Sequence, residues 1–271
     1  MEMVAASKLR RFQDFLESSR PYTEKLSGLV HDLLGEVPTG YRHPFIETPS
    51  PEERDAGKEH QLLVLFTSDT GLCGTYNSEI ENTAHRWLKD QSGKKILLAF
   101  VGKHGVRSFQ KYGGETIGSF SDLRVSRVDE ILEGLEKTLK DAFLDKRVAE
   151  VRIAYTRMES LSRFQPTVEK LLPFSKLSVQ AEANHQTIIE PDAQTVLDRL
   201  FPAFFAARLR FIFYHALLTE QISRMNAMRQ ATKNAKDMID GLTLQRNKAR
   251  QASITKEIIE IVSGSRALKL K

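Results

Sequence analysis

Apolar positions along this chain recur at helical spacing near both ends and in strand-like runs between them. Ala5, Leu9, Phe12 and Leu16 form the stripe of an amphipathic helix, and Leu26, Leu29 and Leu33 resume it beyond Pro21. The pattern predicts a first helix over 3–34 with a kink at the proline. Gly35–Gly57, with Pro38, Pro44, Pro49 and Pro51, predicts a loop. Gln61–Thr67 and Lys95–Val101 are nearly continuous apolar runs, as expected of strands buried on both faces. Residues 77–90, 103–111 and 130–144 read as helices, Val148–Tyr155 as a strand and Gln165–Leu172 as its edge partner. Strand–helix alternation of this kind predicts a small, mostly parallel sheet flanked by helices.

Residues 173–190 read as loop, and Asp192 opens the last segment. Beyond Pro202 there is no further proline, and Gly241 is the only glycine before Gly264. The stretch is rich in Ala, Arg, Lys, Gln, Leu and Met, so it predicts one helix of about sixty residues, roughly 90 Å at ~1.5 Å per residue. A helix of that length has to project from a 271-residue protein. Ile222, Met225, Thr232, Ala235, Ile239, Leu242 and Ala249 make a heptad-like stripe along it, and the first helix is its natural mate. The fold class predicted is α/β: an antiparallel coiled coil of the N- and C-terminal helices with a small, mostly parallel α/β sheet domain inserted. The expected parts are 1–57 (helix and loop), 58–190 (α/β domain) and 191–271 (long helix).

Charge sharpens this picture. Residues 203–271 hold 13 Lys/Arg against 5 Asp/Glu, so a basic helix is expected to meet an acidic partner, either protein, anionic lipid or nucleic acid. A solvated helix face explains the same balance. No aromatic residue follows Tyr214, so that segment has no base-stacking platform. Cys73 is the single cysteine, which excludes an internal disulfide, and no uncharged apolar run reaches about 18 residues.

Candidate chemistry centres on Thr67–Asn77, TSDTGLCGTYN, which follows a strand and precedes a helix. Gly71 and Gly74 there could expose backbone N–H groups to a phosphate. The string lacks the GxGxxG spacing and the Lys-Ser/Thr of a P-loop, and a tight structural turn explains both glycines equally well. Asp69, Cys73 and His85 make no credible nucleophile system, and the seven histidines are scattered. Neither a catalytic residue, a metal nor a cofactor is predicted.

Three strings carry a family resemblance. MVAASKLRR at 3–11 and SSRPYTEKL at 18–26 resemble the N-terminal helix of F-type ATP synthase gamma subunits. TSDTGLCGTYN resembles that family's TSDRGLCGGYN, and the chain from Ser223 to Leu268, including KARQASITKEI, is similar throughout to its C-terminal helix. The resemblance implies a non-catalytic rotor shaft. Its coiled coil enters a hexamer of alpha and beta subunits, and its foot, with the epsilon subunit, sits on the proton-carrying c-subunit ring. It also implies peripheral attachment at the cytoplasmic face of a bacterial membrane and no nucleic-acid role; a basic coiled-coil nucleic-acid-binding protein is the alternative.

Carried over residue by residue, Arg250 and Gln251 are the expected contacts with catalytic-subunit loops, with Met1 and Lys8 on the opposite helix. Ile188, Ile189 and Glu190, with Gly35 and Thr39, are the expected contacts with the proton ring. Gly71 and Gly74 are carried over as a structural turn. Family members usually have about two dozen residues before the MVAASK string, including one resembling TQKITKAM. A late start codon at Met1 is the expectation here.

Overall fold

The computed structural model describes residues 2–37, 41–46, 60–91, 93–110, 112–160, 163–174 and 189–269. The elements run α1 (Glu2–Glu36), β1 (Gln61–Phe66), α2 (Tyr76–Asp90), β2 (Ile96–Val101), α3 (Lys103–Phe109), β3 (Thr116–Phe120), α4 (Val128–Leu144), β4 (Glu150–Ser160), β5 (Arg163–Leu172) and α5 (Ala193–Lys269). The five strands form one sheet in the order β3-β2-β1-β4-β5. β1 pairs in parallel with β2 and β4, and β2 with β3, while β4 and β5 are antiparallel. This is the mixed, mostly parallel sheet between terminal helices that the pattern predicts.

Alternation along β1 and β2 explains the layers. Leu62, Val64, Phe66, Leu97, Ala99 and Val101 face a core completed by α1, α4 and α5. Leu63, Leu65, Leu98 and Phe100 face the other side, against Ile80, Ala84 and Leu88 of α2 and Phe109 of α3. Both strands are buried along their whole length, hence their nearly continuous apolar runs.

Helix α1 continues through Pro21. Its buried residues Ala5, Phe12, Leu26 and Leu33 fall on a seven-residue period, with Val30 beside them. Leu29, expected in that stripe, is 43 % exposed because Val30 takes the inward position. Helix α5 starts at a cap in which Asp192 accepts from the Thr195 amide and hydroxyl, both at 2.8 Å. Between Leu197 and Ile222 it buries residues on every side, including Phe201, Phe205, Leu209 and Phe213, as a core helix does. Its most apolar window is long enough to cross a membrane by composition, but 61 % of that window is buried in the fold.

The two terminal helices run antiparallel. Phe15 stacks on Tyr214 with ring centroids 5.2 Å apart, and Thr23 and Ser27 share a groove with Phe204 and Arg208. The chain divides into two compact units, Met1–Asn226 and Ala227–Lys271. The second is helix through Lys269, and every side chain described from Arg229 to Arg266 is exposed.

Candidate functional site: the strand–helix turn and the exposed helix

The turn between β1 and α2 is built from its own polar groups. Leu72 (φ +64°) and Gly74 (φ +60°) turn the chain through the left-handed region, which glycine enters without a Cβ penalty. The Asn77 side chain closes the loop. Its Oδ1 accepts from the Ser68 amide at 3.0 Å, and its Nδ2 donates to Ser68 Oγ at 2.7 Å and to Cys73 Sγ at 3.3 Å. Ser68 Oγ donates to the Thr70 carbonyl at 2.8 Å.

The same turn is stapled to its neighbours. Asp69 accepts from the Lys103 amide at 3.2 Å and from the Leu123 amide at 2.6 Å, so one carboxylate ties β1 to the starts of two other connections. Thr67 Oγ1 accepts from the Gly105 amide at 2.9 Å and donates to the Val101 carbonyl at 3.1 Å. Gly102 (φ +91°) makes this approach possible, since a Cβ there would lie 2.1 Å from the Thr67 carbonyl oxygen.

Helix α5 supplies the remaining partner. Arg224 donates to the Thr70 carbonyl at 2.9 Å, to Thr70 Oγ1 at 3.3 Å and to the Gly71 carbonyl at 3.5 Å. Its other arm holds Glu220 at 2.6 Å, where the side chains are only 12 % and 7 % exposed. Burial pushes the Glu220 carboxyl above its ordinary range, and the Arg224 charge pulls it back. Burial likewise raises the Tyr76 phenol, which donates to the Ala216 carbonyl at 3.4 Å. Neither Glu220 nor Arg224 is marked out by a motif. The signal in the sequence was an i,i+4 Glu–Arg pair, common on exposed helices.

The residues expected to meet other subunits lie elsewhere. Arg250 and Gln251 are exposed on α5. Lys8 is half-buried on α1 and lines an open groove of about 520 Å³ with Met3, Val4, Arg11 and Arg124. Gly35 is exposed at the end of α1, Ile189 packs against the core and Glu190 is exposed. Because α1 and α5 run antiparallel, Gly35 and the start of α5 lie at the same end of the fold. Tyr41 and Asp198 join that end with a 2.7 Å hydrogen bond. Met1, Thr39 and Ile188 fall outside the described residues. Among the described residues no group of His, Cys, Asp and Glu is arranged to hold a metal.

The comparisons with known proteins agree on what this architecture is. The family model described as ATP synthase matches residues 1–268. The ATP synthase gamma chain of Dechloromonas aromatica (strain RCB) is 37 % identical over 99 % of this chain and 92 % of its own length. That of Methylibium petroleiphilum is 34 % identical with the same coverage. In fold, the chain is similar to the central stalk of the Tetrahymena thermophila mitochondrial ATP synthase (TM-score 0.56, 21 % identity, 86 % of this chain and 97 % of that one). It is also similar to a chain of the Euglena gracilis mitochondrial ATP synthase in rotational state 3 (TM-score 0.56, 15 % identity, 97 % and 95 %). A small α/β sheet carried between two antiparallel terminal helices is thus the fold of a rotary ATP synthase central stalk. The chain belongs to the gamma-subunit family of F-type ATP synthases, in its bacterial form.

Proposed function

We propose that this chain is the rotating shaft that couples proton flow to the conformational cycle of the catalytic subunits, without catalysing a reaction itself. The observation that carries the proposal is α5 from Arg229 to Arg266, where every side chain is exposed. Met238, Ile239, Leu242 and Leu244 there are 57–67 % exposed, beside basic Arg246, Lys248 and Arg250. Apolar and basic residues on one uncovered helix suit a surrounding ring of protein with acidic loops. The partners in this reading are the alpha and beta subunits around the helix. At the other end, the epsilon subunit and the proton-carrying c-ring meet Gly35, Thr39 and Ile188–Glu190. The three-part division at residues 57 and 190 then separates helix, sheet domain and shaft. The Gly71–Gly74 turn is structural, its polar groups being engaged within the fold. The complex would sit on the cytoplasmic face of a bacterial membrane.

Each orientation of an asymmetric helix favours one arrangement of three surrounding sites by differential contact energy. Reconstituting the alpha–beta hexamer and membrane sector with and without this chain tests the proposal. ATP-driven proton pumping is expected only with it, and pumping that does not depend on the chain would refute the reading. As a residue-level test, Arg250→Ala with Gln251→Ala is expected to weaken coupling. The melting temperature of the chain should not move, because both side chains are exposed.

A further inference from the structure

Candidate chemistry centres on the Thr67–Asn77 turn, yet the contacts proposed with other subunits leave it without a role. Its two outward carbonyls, of Thr70 and Gly71, are taken by Arg224, the same guanidinium that holds Glu220 one turn earlier on α5. Arg224 lies two residues before the end of the compact unit at Asn226. On the far side of the turn, Asp69 is bonded to the amides of Lys103 and Leu123. A force on Arg224 is therefore passed through two consecutive residues, Thr70 and Asp69, to the connections that follow β2 and β3.

We propose, on the basis of the rotor reading above, that Arg224 is a positioning residue of torque transmission. It pins α5 to the β1–α2 turn so that helix and sheet turn together under load. The apolar contacts of Phe213, Leu217 and Ile222 hold the helix against the core, but hydrophobic attraction is itself non-directional. Hydrogen bonds lose strength steeply when misaligned, and a planar guanidinium fork fixes direction as well as distance. The turn's second task is then to present two carbonyls that a guanidinium can grip.

Lysine at this position separates the two functions of Arg224. It brings the same charge to Glu220 but has no fork to span both Glu220 and the turn. The experiment uses the whole complex in sealed vesicles carrying Arg224→Lys, with ATP hydrolysis and ATP-driven proton pumping measured on one preparation. The expected result is hydrolysis close to that of the unmodified complex, with protons pumped per ATP lowered at least twofold and lowered further as the opposing proton gradient rises. Thr70→Val removes one acceptor and leaves the ion pair intact, so it should lower the same ratio by a smaller factor. It also serves as the test should Arg224→Lys reduce assembly. A ratio unchanged in both variants would overturn the proposal. So would hydrolysis and pumping that fall in parallel, the signature of lost complexes instead of slipping ones. Failure of the unmodified chain to restore any pumping would instead remove the rotor reading on which the proposal rests.

Discussion

Protonating His215 should destabilise the fold, and the size of the effect can be worked out. His215 sits on the buried part of α5, 8 % exposed, with the Tyr155 ring edge-on at 6.1 Å and the Phe211 ring at 5.9 Å. Its Nδ1 is buried without a hydrogen-bond partner among the described residues. The charged group that faces it is Arg157 on β4, while nearby Glu169 is engaged by the Tyr155 hydroxyl at 3.1 Å. Burial first and the Arg157 charge second push its pKa down to about 4. In the unfolded chain the imidazole titrates near ~6.5, so the unfolded state takes up the proton first as pH falls. The stability this neutral imidazole contributes is complete above about pH 6.5 and is lost progressively down to about pH 4. A gap of about 2.5 units at about 1.4 kcal/mol each amounts to about 3 kcal/mol. Urea unfolding of the full chain at pH 7, 6, 5 and 4.5, followed by fluorescence of Trp87, the single tryptophan, measures it. His215→Phe serves as the reference, since groups titrating elsewhere cancel in the difference. Between pH 7 and pH 4.5 the unmodified chain should lose about 2.4 kcal/mol of this relative to the variant, the rest being lost below pH 4.5. Parallel pH profiles for the two proteins would refute the reasoning.

Arg224→Ala strands the Glu220 carboxylate in the interior and should cost about 3–5 kcal/mol in the same unfolding assay, whereas adding Glu220→Leu should recover most of that loss. The penalty should shrink as pH falls through the ordinary carboxylate range, because burial raises the Glu220 carboxyl and it takes up its proton first in the folded chain. Gly102→Ala puts a Cβ 2.1 Å from the Thr67 carbonyl at φ +91° and should lower stability by at least about 3 kcal/mol, seen as a drop in melting temperature. A double-mutant cycle on Phe15→Ala and Tyr214→Ala should return a coupling of about 0.5–1.5 kcal/mol from their stacking, and strict additivity would contradict the antiparallel pairing of α1 and α5.

How far the sequence discloses the fold depends on what each element buries. β1 and β2 are legible because a strand covered on both faces has to be apolar throughout. β3 escapes notice because it is a short edge strand, TIGSF, with a glycine at its centre and no fully buried residue. In the turn, the glycines point to its shape, but nothing local shows that Asp69 bonds the Lys103 and Leu123 amides. Arg224 is less legible still, since its partner Thr70 is 154 residues away and accepts through its backbone carbonyl, which any residue possesses. The stripe through Thr232, Ala235, Ile239, Leu242 and Ala249 is a different case. It is correctly periodic, yet each of these residues is exposed. Periodicity reports what a helix is able to bury and does not say which chain covers it.

That last distinction separates two physical quantities along α5. Between Leu197 and Ile222 the helix is held by the core, so substitutions there change the free energy of unfolding. From Arg229 to Arg266 it is held by its own backbone ladder, by residues of good helix propensity and by local pairs such as Gln230–Asn234 at 2.9 Å and Lys256–Glu260 at 3.9 Å. Exposed pairs of this kind are worth only a few tenths of a kcal/mol each, so a change at Ile239 or Leu242 should barely move the unfolding curve of the isolated chain. In the rotor reading proposed above, the same change removes apolar surface that a second protein covers, so its cost should appear in the assembled complex. A substitution at Ile239 that destabilised the isolated chain by several kcal/mol would mean that this stretch is covered by its own chain, and the case for a surrounding partner would fall with it.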